Sequence, residues 1–143
     1  MVPVATTEIL IPARLDAVPG LSLEIEHFMH DAGYADSQIL DIQLAIEESV
    51  TNSILHGYRG QPGQISVHCD ILPEYMTVII TDNAPAFDPL GMPDPDITSS
   101  LEERKAGGLG IYLIRRVTDG VSYRYEKGKN ILTLIKKRGP GES

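Results

Sequence analysis

The longest regular pattern in this chain of 143 residues is an amphipathic helix predicted over Ile39–Tyr58. Apolar residues recur along it at steps of three and four, which is the spacing of one helix face. Asp36 or Ser37 is placed to cap its start, and Gly57 to end it in a left-handed conformation. The pattern predicts a helix that buries one face in a core. That face consists of Ile39, Ile42, Ile46, Val50, Ile54 and the small residues Ser49 and Ser53.

A polar flank runs beside this apolar face. Glu48, Asn52 and His56 follow one another in steps of four, so their side chains stack along one side of the helix. Asp41 and Ala45 continue the line toward the N terminus. Polar residues at this spacing are also common on solvated helix faces. The flank is therefore a candidate site that depends on support from the rest of the chain.

Length and composition indicate one globular domain over residues 1–143, because 42% of the residues are hydrophobic. Twelve basic and twenty acidic residues give a net charge of −8. This charge argues against direct binding to nucleic acid, which needs a basic surface. No apolar run approaches the ~20 residues of a membrane span, and the N terminus lacks a signal-peptide pattern. We therefore expect a cytoplasmic protein without membrane contact.

Strand and helix patterns account for most of the remaining chain. The single cysteine, Cys69, alternates with apolar residues between Gln64 and Leu72, which favours a buried strand thiol. Asn83–Ala106 is rich in proline and acids and has no periodicity, so its part from about 88 to 106 is expected to form a lid. The other predicted elements are strands at Thr6–Ile11, Met76–Thr81, Val121–Tyr125 and Ile131–Lys137 and helices at Val18–Ala32 and Ile111–Val117.

This order of elements predicts an α+β fold. Helices that group against strands joined by hairpins form a two-layer sandwich. We expect a mixed, mostly antiparallel sheet that is covered on one face by helices.

Closely spaced glycines precede the last predicted helix, in the segment Gly107-Gly108-Leu109-Gly110. Bare backbone N–H groups and the partial positive charge of a helix N terminus favour phosphate as a ligand. The spacing matches neither the dinucleotide-binding fingerprint nor the phosphate loop that ends in Gly-Lys-Ser or Gly-Lys-Thr. Glycines also simply terminate loops, so this segment alone does not decide between the two interpretations.

Asp82 stands where the apolar strand residues Val78, Ile79 and Ile80 end. A carboxylate in this position can accept a hydrogen bond from an exocyclic amine such as that of adenine. An ordinary aspartate that starts a turn fits the same sequence.

Together, three segments resemble the ATP-binding boxes of the Bergerat-fold family, the GHKL or histidine-kinase-like ATPases. LAIEESVTNSILHGY resembles the N box, TDNAPAFDP the adenine box and GGLGIYLIRR the second glycine box. The resemblance is closest to the anti-sigma factor serine/threonine protein kinases of that family. It runs from about Thr6 to Lys137, and the joint order and spacing of the boxes are more specific than any single box.

The resemblance implies ATP and Mg²⁺ as cofactors, and it implies roles for the matching residues. Glu48 would be the general base, Asn52 the Mg²⁺ ligand and Asp82 the acceptor for adenine. Thr133 would lie near adenine. The other nucleotide-binding positions that the match implies are His56, Ala84, Phe87, Arg104, Lys105, Gly108, Leu109 and Gly110, with Gly108 and Gly110 on the phosphates and Arg104 or Lys105 near the terminal phosphate.

The implied activity is phosphorylation of an anti-sigma factor antagonist, a STAS-domain protein, by a kinase that also holds a sigma factor. The family also admits a homodimer. His27 and His30 lack the setting of a phospho-accepting histidine, which disfavours a self-contained histidine kinase. The alternative is a nucleotide-dependent switch that sequesters a partner without phosphorylating it. Glu48 favours the kinase, since a switch needs no base.

One position departs from the family pattern. Ala84 stands where the adenine box usually has glycine. Its methyl group would crowd the nucleotide or change the loop, so weakened or lost ATP binding stays open at this point. Alanine is acceptable at this position if its φ is negative.

Overall fold

The computed structural model describes residues 2–91 and 109–138. Five strands form one sheet in the order β1-β2-β3-β5-β4, and all four pairings between neighbours are antiparallel. The strands are β1 (Ala5–Pro12), β2 (Gln64–Ile71), β3 (Tyr75–Asp82), β4 (Gly120–Glu126) and β5 (Lys129–Lys137). The helices are α1 (Val18–Asp31), α2 (Asp36–Asn52) and α3 (Leu109–Val117), with short 3₁₀ turns at Leu15–Ala17 and Pro89–Gly91. The predicted α+β fold is confirmed, although the described sheet is antiparallel throughout rather than mixed.

The three helices cover one face of the sheet, and α2 packs between α1 and α3. Side chains alternate between the two faces of each strand, so β2 presents Ile65, Val67, Cys69 and Ile71 to the helices. All four are fully buried. Burial, with a smaller contribution from Asp70, raises the pKa of the Cys69 thiol to about 12. The expected buried strand thiol is therefore present.

The predicted core face of α2 is buried along its whole length. The start of the helix differs from the prediction, because Ala35 is the N-cap residue and neither Asp36 nor Ser37 caps the helix. Instead, the side chain of Gln38 accepts a hydrogen bond from the Ala35 N–H at 3.4 Å. The hydrogen-bond acceptor for the Ala35 N–H therefore comes from the first turn of the helix itself.

The end of α2 also differs from the prediction. After Asn52 the chain widens into a π-helical segment, Ser53–Tyr58, and Gly57 lies inside it. The left-handed residue that ends the segment is Arg59, with φ 53°, and its N–H bonds to the carbonyl of Ile54 at 3.0 Å. Gly60 follows with φ 84°. The helical path continues through this wide turn past Gly57, so the left-handed position falls at Arg59, two residues later.

A two-residue hairpin between β4 and β5 determines which residues reach the site. Lys127 and Gly128 both have positive φ, 52° and 77°, as the tight turns that join twisted strands require. The resulting register places Asn130 opposite Tyr125 on one side and opposite Asp82 on the other. The polar start of β5 thus meets the polar end of β3.

The described residues end at Gly91 and resume at Leu109, so most of the predicted lid lies outside them. The first lid residues form the Pro89–Gly91 turn, and the Arg115 side chain of α3 donates to the Leu90 carbonyl at 3.2 Å. In the described ranges, no helix is long and apolar enough to cross a membrane.

Candidate functional site

A small cavity lies between the C-terminal half of α2 and the adjoining ends of β3 and β5. Asn52, Asp82, Phe87 and Asn130 are among the residues that line it. Its volume of about 30 Å³ has room for roughly two water molecules. Sites for organic ligands usually measure hundreds of cubic ångströms. Phe87 and Pro89 form part of the wall, so these residues must move before a purine can enter.

Asp82 is buried at the floor of this cavity, and three protein groups donate to its carboxylate. Oδ2 accepts from the Ser53 hydroxyl, and Oδ1 accepts from the Ala84 N–H and the Asn130 amide, both at 2.9 Å. An ionised carboxylate has about four lone-pair positions. One acceptor position of Asp82 is left for a donor such as an exocyclic amine.

Asn130 holds the loop after β3 in place, and the sequence analysis did not identify it. Its amide nitrogen donates to Asp82 and to the carbonyls of Ala84 and Pro85, at 2.9, 3.0 and 3.2 Å. Its amide oxygen accepts from the Phe87 N–H at 3.0 Å and from the Tyr123 hydroxyl at 2.5 Å. A single buried amide therefore connects β3, β4 and the adenine-box loop.

The structure places Thr133 away from this cavity. Leu132 and Asn130 line the cavity, and Thr133 lies between Leu132 and Leu134, so it points to the sheet face away from the helices. The period of two could have indicated Asn130, because it shares the parity of Leu132 and Leu134. Ile131 and Ile135 make the opposite face apolar as well, so the alternation alone does not identify the core face.

Ala84 occupies space that is open because residue 57 is glycine. Ala84 is buried and has negative φ, so its backbone accommodates alanine without strain. A Cβ atom added at Gly57 would stand 3.2 Å from the Ala84 methyl carbon. The methyl group of Ala84 thus packs on the π-helical segment rather than standing free in the cavity.

Asn52 and His56 present polar atoms without protein partners. The Asn52 Nδ2 and His56 Nε2 atoms are buried and form no hydrogen bond within the described part of the chain. Buried polar groups in folded proteins are nearly always paired, and those that are not need an explanation. The His56 ring stacks on Phe87, with ring centroids 5.7 Å apart and planes inclined by 23°. His56, on the polar flank of the helix, thus lies against an aromatic ring from the adenine-box loop.

Glu48 lies one helical turn before Asn52 and is half-buried. Burial, and secondarily the charge of Glu47, raise the pKa of the Glu48 carboxyl above its ordinary value. Glu47 turns the other way and accepts a hydrogen bond from the Ser22 hydroxyl of α1 at 2.5 Å. A carboxylate that resists ionisation is a stronger proton acceptor once it is ionised.

The structure brings some of the predicted site residues together and leaves others apart. Asn52, Asp82 and Phe87 share the cavity, and His56 and Ala84 line the neighbouring groove. Leu109 and Gly110 begin α3, and the side chain of Leu109 is not described. Among the described residues, no three His, Cys, Asp or Glu side chains are grouped to hold a metal by themselves. The predicted residues outside the described ranges are Arg104, Lys105 and Gly108.

Residues 11–136 match the family of histidine kinase-like ATPase domains. The chain belongs to this family. Membership of an ATPase family supports ATP as its ligand. Asp82 of the predicted adenine box and Asn52 of the predicted N box line the same cavity.

Two curated relatives are the proteins named serine-protein kinase RsbW from Bacillus cereus strain AH187 and Bacillus thuringiensis subsp. konkukian strain 97-27. Each is 27% identical over 129 residues, covering 87% of this chain and 81% of the relative. A crystal structure of the RsbU and RsbW domains of a Mycobacterium tuberculosis protein matches with a TM-score of 0.69 and 18% identity. The match covers 95% of this chain and 33% of that chain, and at this identity it shows the shared fold.

Proposed function

We propose that this histidine kinase-like ATPase domain is a protein serine/threonine kinase of the anti-sigma type. Its substrate is an anti-sigma factor antagonist, and the same domain holds a sigma factor. The relatives named serine-protein kinase support this reading. The observation that carries it is the half-buried Glu48 with its raised pKa, one turn from Asn52 at the edge of the nucleotide site.

Glu48 acts on the acceptor hydroxyl of the protein substrate. It takes the proton as the hydroxyl oxygen bonds to the γ-phosphorus of ATP, and the bond to the bridging oxygen breaks to leave ADP. Asp82 accepts a hydrogen bond from the exocyclic amine of adenine through its remaining acceptor position. His56 and Phe87 border the nucleotide as an aromatic pair.

Asn52 is the residue that we propose as the Mg²⁺ ligand. Mg²⁺ prefers oxygen ligands and usually keeps water and phosphate oxygens around one or two protein groups. No carboxylate cage is present among the described residues, and the side-chain oxygen of Asn52 would be the protein ligand in this mode of binding. The ion would neutralise charge on the phosphates during transfer.

Phosphotransfer with isotopically labelled ATP and an antagonist encoded in the same genome tests the function. Glu48→Gln should lower the transfer rate by roughly 10²–10⁴, the usual size of a general-base contribution, while ATP affinity survives. Glu47→Gln is the matched control and should leave the rate within a few-fold of wild type, since its amide oxygen can still accept from Ser22.

The pH dependence of the rate provides a second readout. Glu48 must be deprotonated to act as a base, so the wild-type rate should rise with pH through the raised pKa of this carboxyl group. Glu48→Gln should lose that dependence. A Glu48→Gln rate within a few-fold of wild type would remove the base from the mechanism. No transfer by the wild type would favour a switch that sequesters its partner.

A further inference from the structure

Exposed leucines lie on the side of α2 and of the following π-helical segment that faces away from the sheet. Leu40 is 67% exposed and Leu55 45% exposed, and Leu44 lies between them, partly exposed. At about 100° per residue Leu40, Leu44 and Thr51 fall on one side of α2, and Leu55 continues this side in the wider turn of the π-helical segment. They form a stripe roughly 20 Å long at 1.5 Å per residue. We call Leu40, Leu44, Thr51 and Leu55 the leucine stripe.

Glu48 borders the leucine stripe. It lies one turn after Leu44 and about two turns before Leu55, rotated toward the side where α3 packs. Its neighbours toward the sheet, Ala45 and Ser49, are buried in the core. Among the described elements, the leucine stripe is therefore an exposed surface next to the Glu48 carboxylate.

The charges of α2 define the kind of partner. The helix contains four carboxylates, at Asp36, Asp41, Glu47 and Glu48, and has neither lysine nor arginine. Asp41 is paired with Lys136 at 3.1 Å, and Glu47 and Glu48 flank the leucine stripe. A second copy of this chain would bring the same carboxylates face to face across a two-fold interface, which is unfavourable. An apolar patch with a basic rim is complementary to this surface.

We propose that the leucine stripe docks the phospho-acceptor protein and thereby delivers its hydroxyl to Glu48. The partner presents an apolar patch with a basic rim next to the acceptor serine or threonine. This inference rests on the proposed kinase function, because Glu48 gives the docking site its position. The stripe contributes to recognition of the protein substrate and makes no contribution to ATP binding.

A double variant, Leu40→Glu with Leu55→Glu, tests this surface. We expect the KM for the acceptor protein to rise at least tenfold, because each substitution puts a charged carboxylate where an apolar side chain would pack on the apolar patch of the partner. ATP affinity, measured by titration calorimetry, should stay within twofold of wild type. The matched control is Leu10→Glu with Leu23→Glu, whose native side chains are 63% and 51% exposed on β1 and α1. Its KM should stay within twofold.

Thermal unfolding shows whether both variants are folded, and direct binding of the acceptor is measured alongside transfer. An unchanged KM and unchanged acceptor binding in the folded stripe variant would overturn the docking proposal while the kinase function stood. Failure of the wild type to transfer phosphate would overturn the proposed function, and acceptor binding would still decide the docking site. If the stripe variant sediments differently from the wild type when each is measured alone, and acceptor binding is unchanged, the leucine stripe serves self-association and the proposal is overturned.

Discussion

Asp82 and Asn130 form the polar centre of the candidate nucleotide site. They face each other across β3 and β5 and are separated by 48 positions in the chain. Both are buried, and a buried carboxylate is tolerated only when donors surround it. The Asn130 amide supplies one donor to Asp82 and at the same time ties down the loop that contains Ala84 and Phe87. At the residue scale, one amide therefore positions the carboxylate that we propose as the acceptor for adenine.

We expect Asn130→Ala to weaken ATP binding at least tenfold and to lower the free energy of unfolding by about 2–3 kcal/mol, because it leaves several buried groups without partners. Thr133→Ala is the matched control on the same strand, and its side chain lies on the opposite face. ATP titration and urea denaturation measure both effects. Equal loss of ATP affinity in the two variants would contradict the assignment of Asn130 to the site.

The π-helical segment Ser53–Tyr58 is the element that joins α2 to the nucleotide site. Its wide turn brings Gly57 against the Ala84 methyl group, and Ala84 is held by its bonds to Asp82 and Asn130. Departures from α-helical geometry of this kind often occur at functional sites. The methyl group of Ala84 thus fits in this position because residue 57 has no side chain.

Gly57→Ala should destabilise the protein by about 1–2 kcal/mol, since the added methyl group would press on the Ala84 methyl group at 3.2 Å, and hydrogen bonds hold the Ala84 backbone in place. In an Ala84→Gly background the same substitution should cost less by at least about 0.5 kcal/mol, which is the coupling expected of residues in contact. Urea denaturation of the four proteins gives this double-mutant cycle. Additive effects would show that the two side chains do not share this space.

At the scale of the whole molecule, one apolar core joins the sheet to the helix layer. Cys69 lies in that core on β2, opposite Thr7 of β1 and Val78 of β3. Lys136 of β5 reaches across to the helix layer, where it bonds to Asp41 and to the Val117 carbonyl. These contacts bind strands and helices into one cooperative unit.

The Cys69 thiol should therefore react only when this unit opens. Its pKa of about 12 and its full burial keep it protonated and inaccessible in the native state. We expect a thiol reagent at pH 8 to label Cys69 at the unfolded-state rate reduced by the unfolding equilibrium constant, roughly 10³-fold or more. The opening free energy should agree with that from urea denaturation. Rapid labelling of the native protein would contradict this.

The sequence by itself indicated most of the helices and strands and the candidate ligand-binding segments. The core face of α2, the strand alternation around Cys69 and the positions of Glu48, Asn52 and Asp82 follow from residues close together in the chain. Repeats of two or about 3.6 residues are local properties, so they can be read without knowing the fold.

The tertiary structure alone decided which residues meet at the site. Both faces of β5 are apolar, so only its pairing with β3 shows that Asn130, not Thr133, lies beside Asp82. The end of α2 likewise departs from the local glycine signal, because the π-helical segment packs Gly57 against Ala84. The physical reason is that register and packing depend on contacts between residues far apart in the chain, which no local pattern encodes.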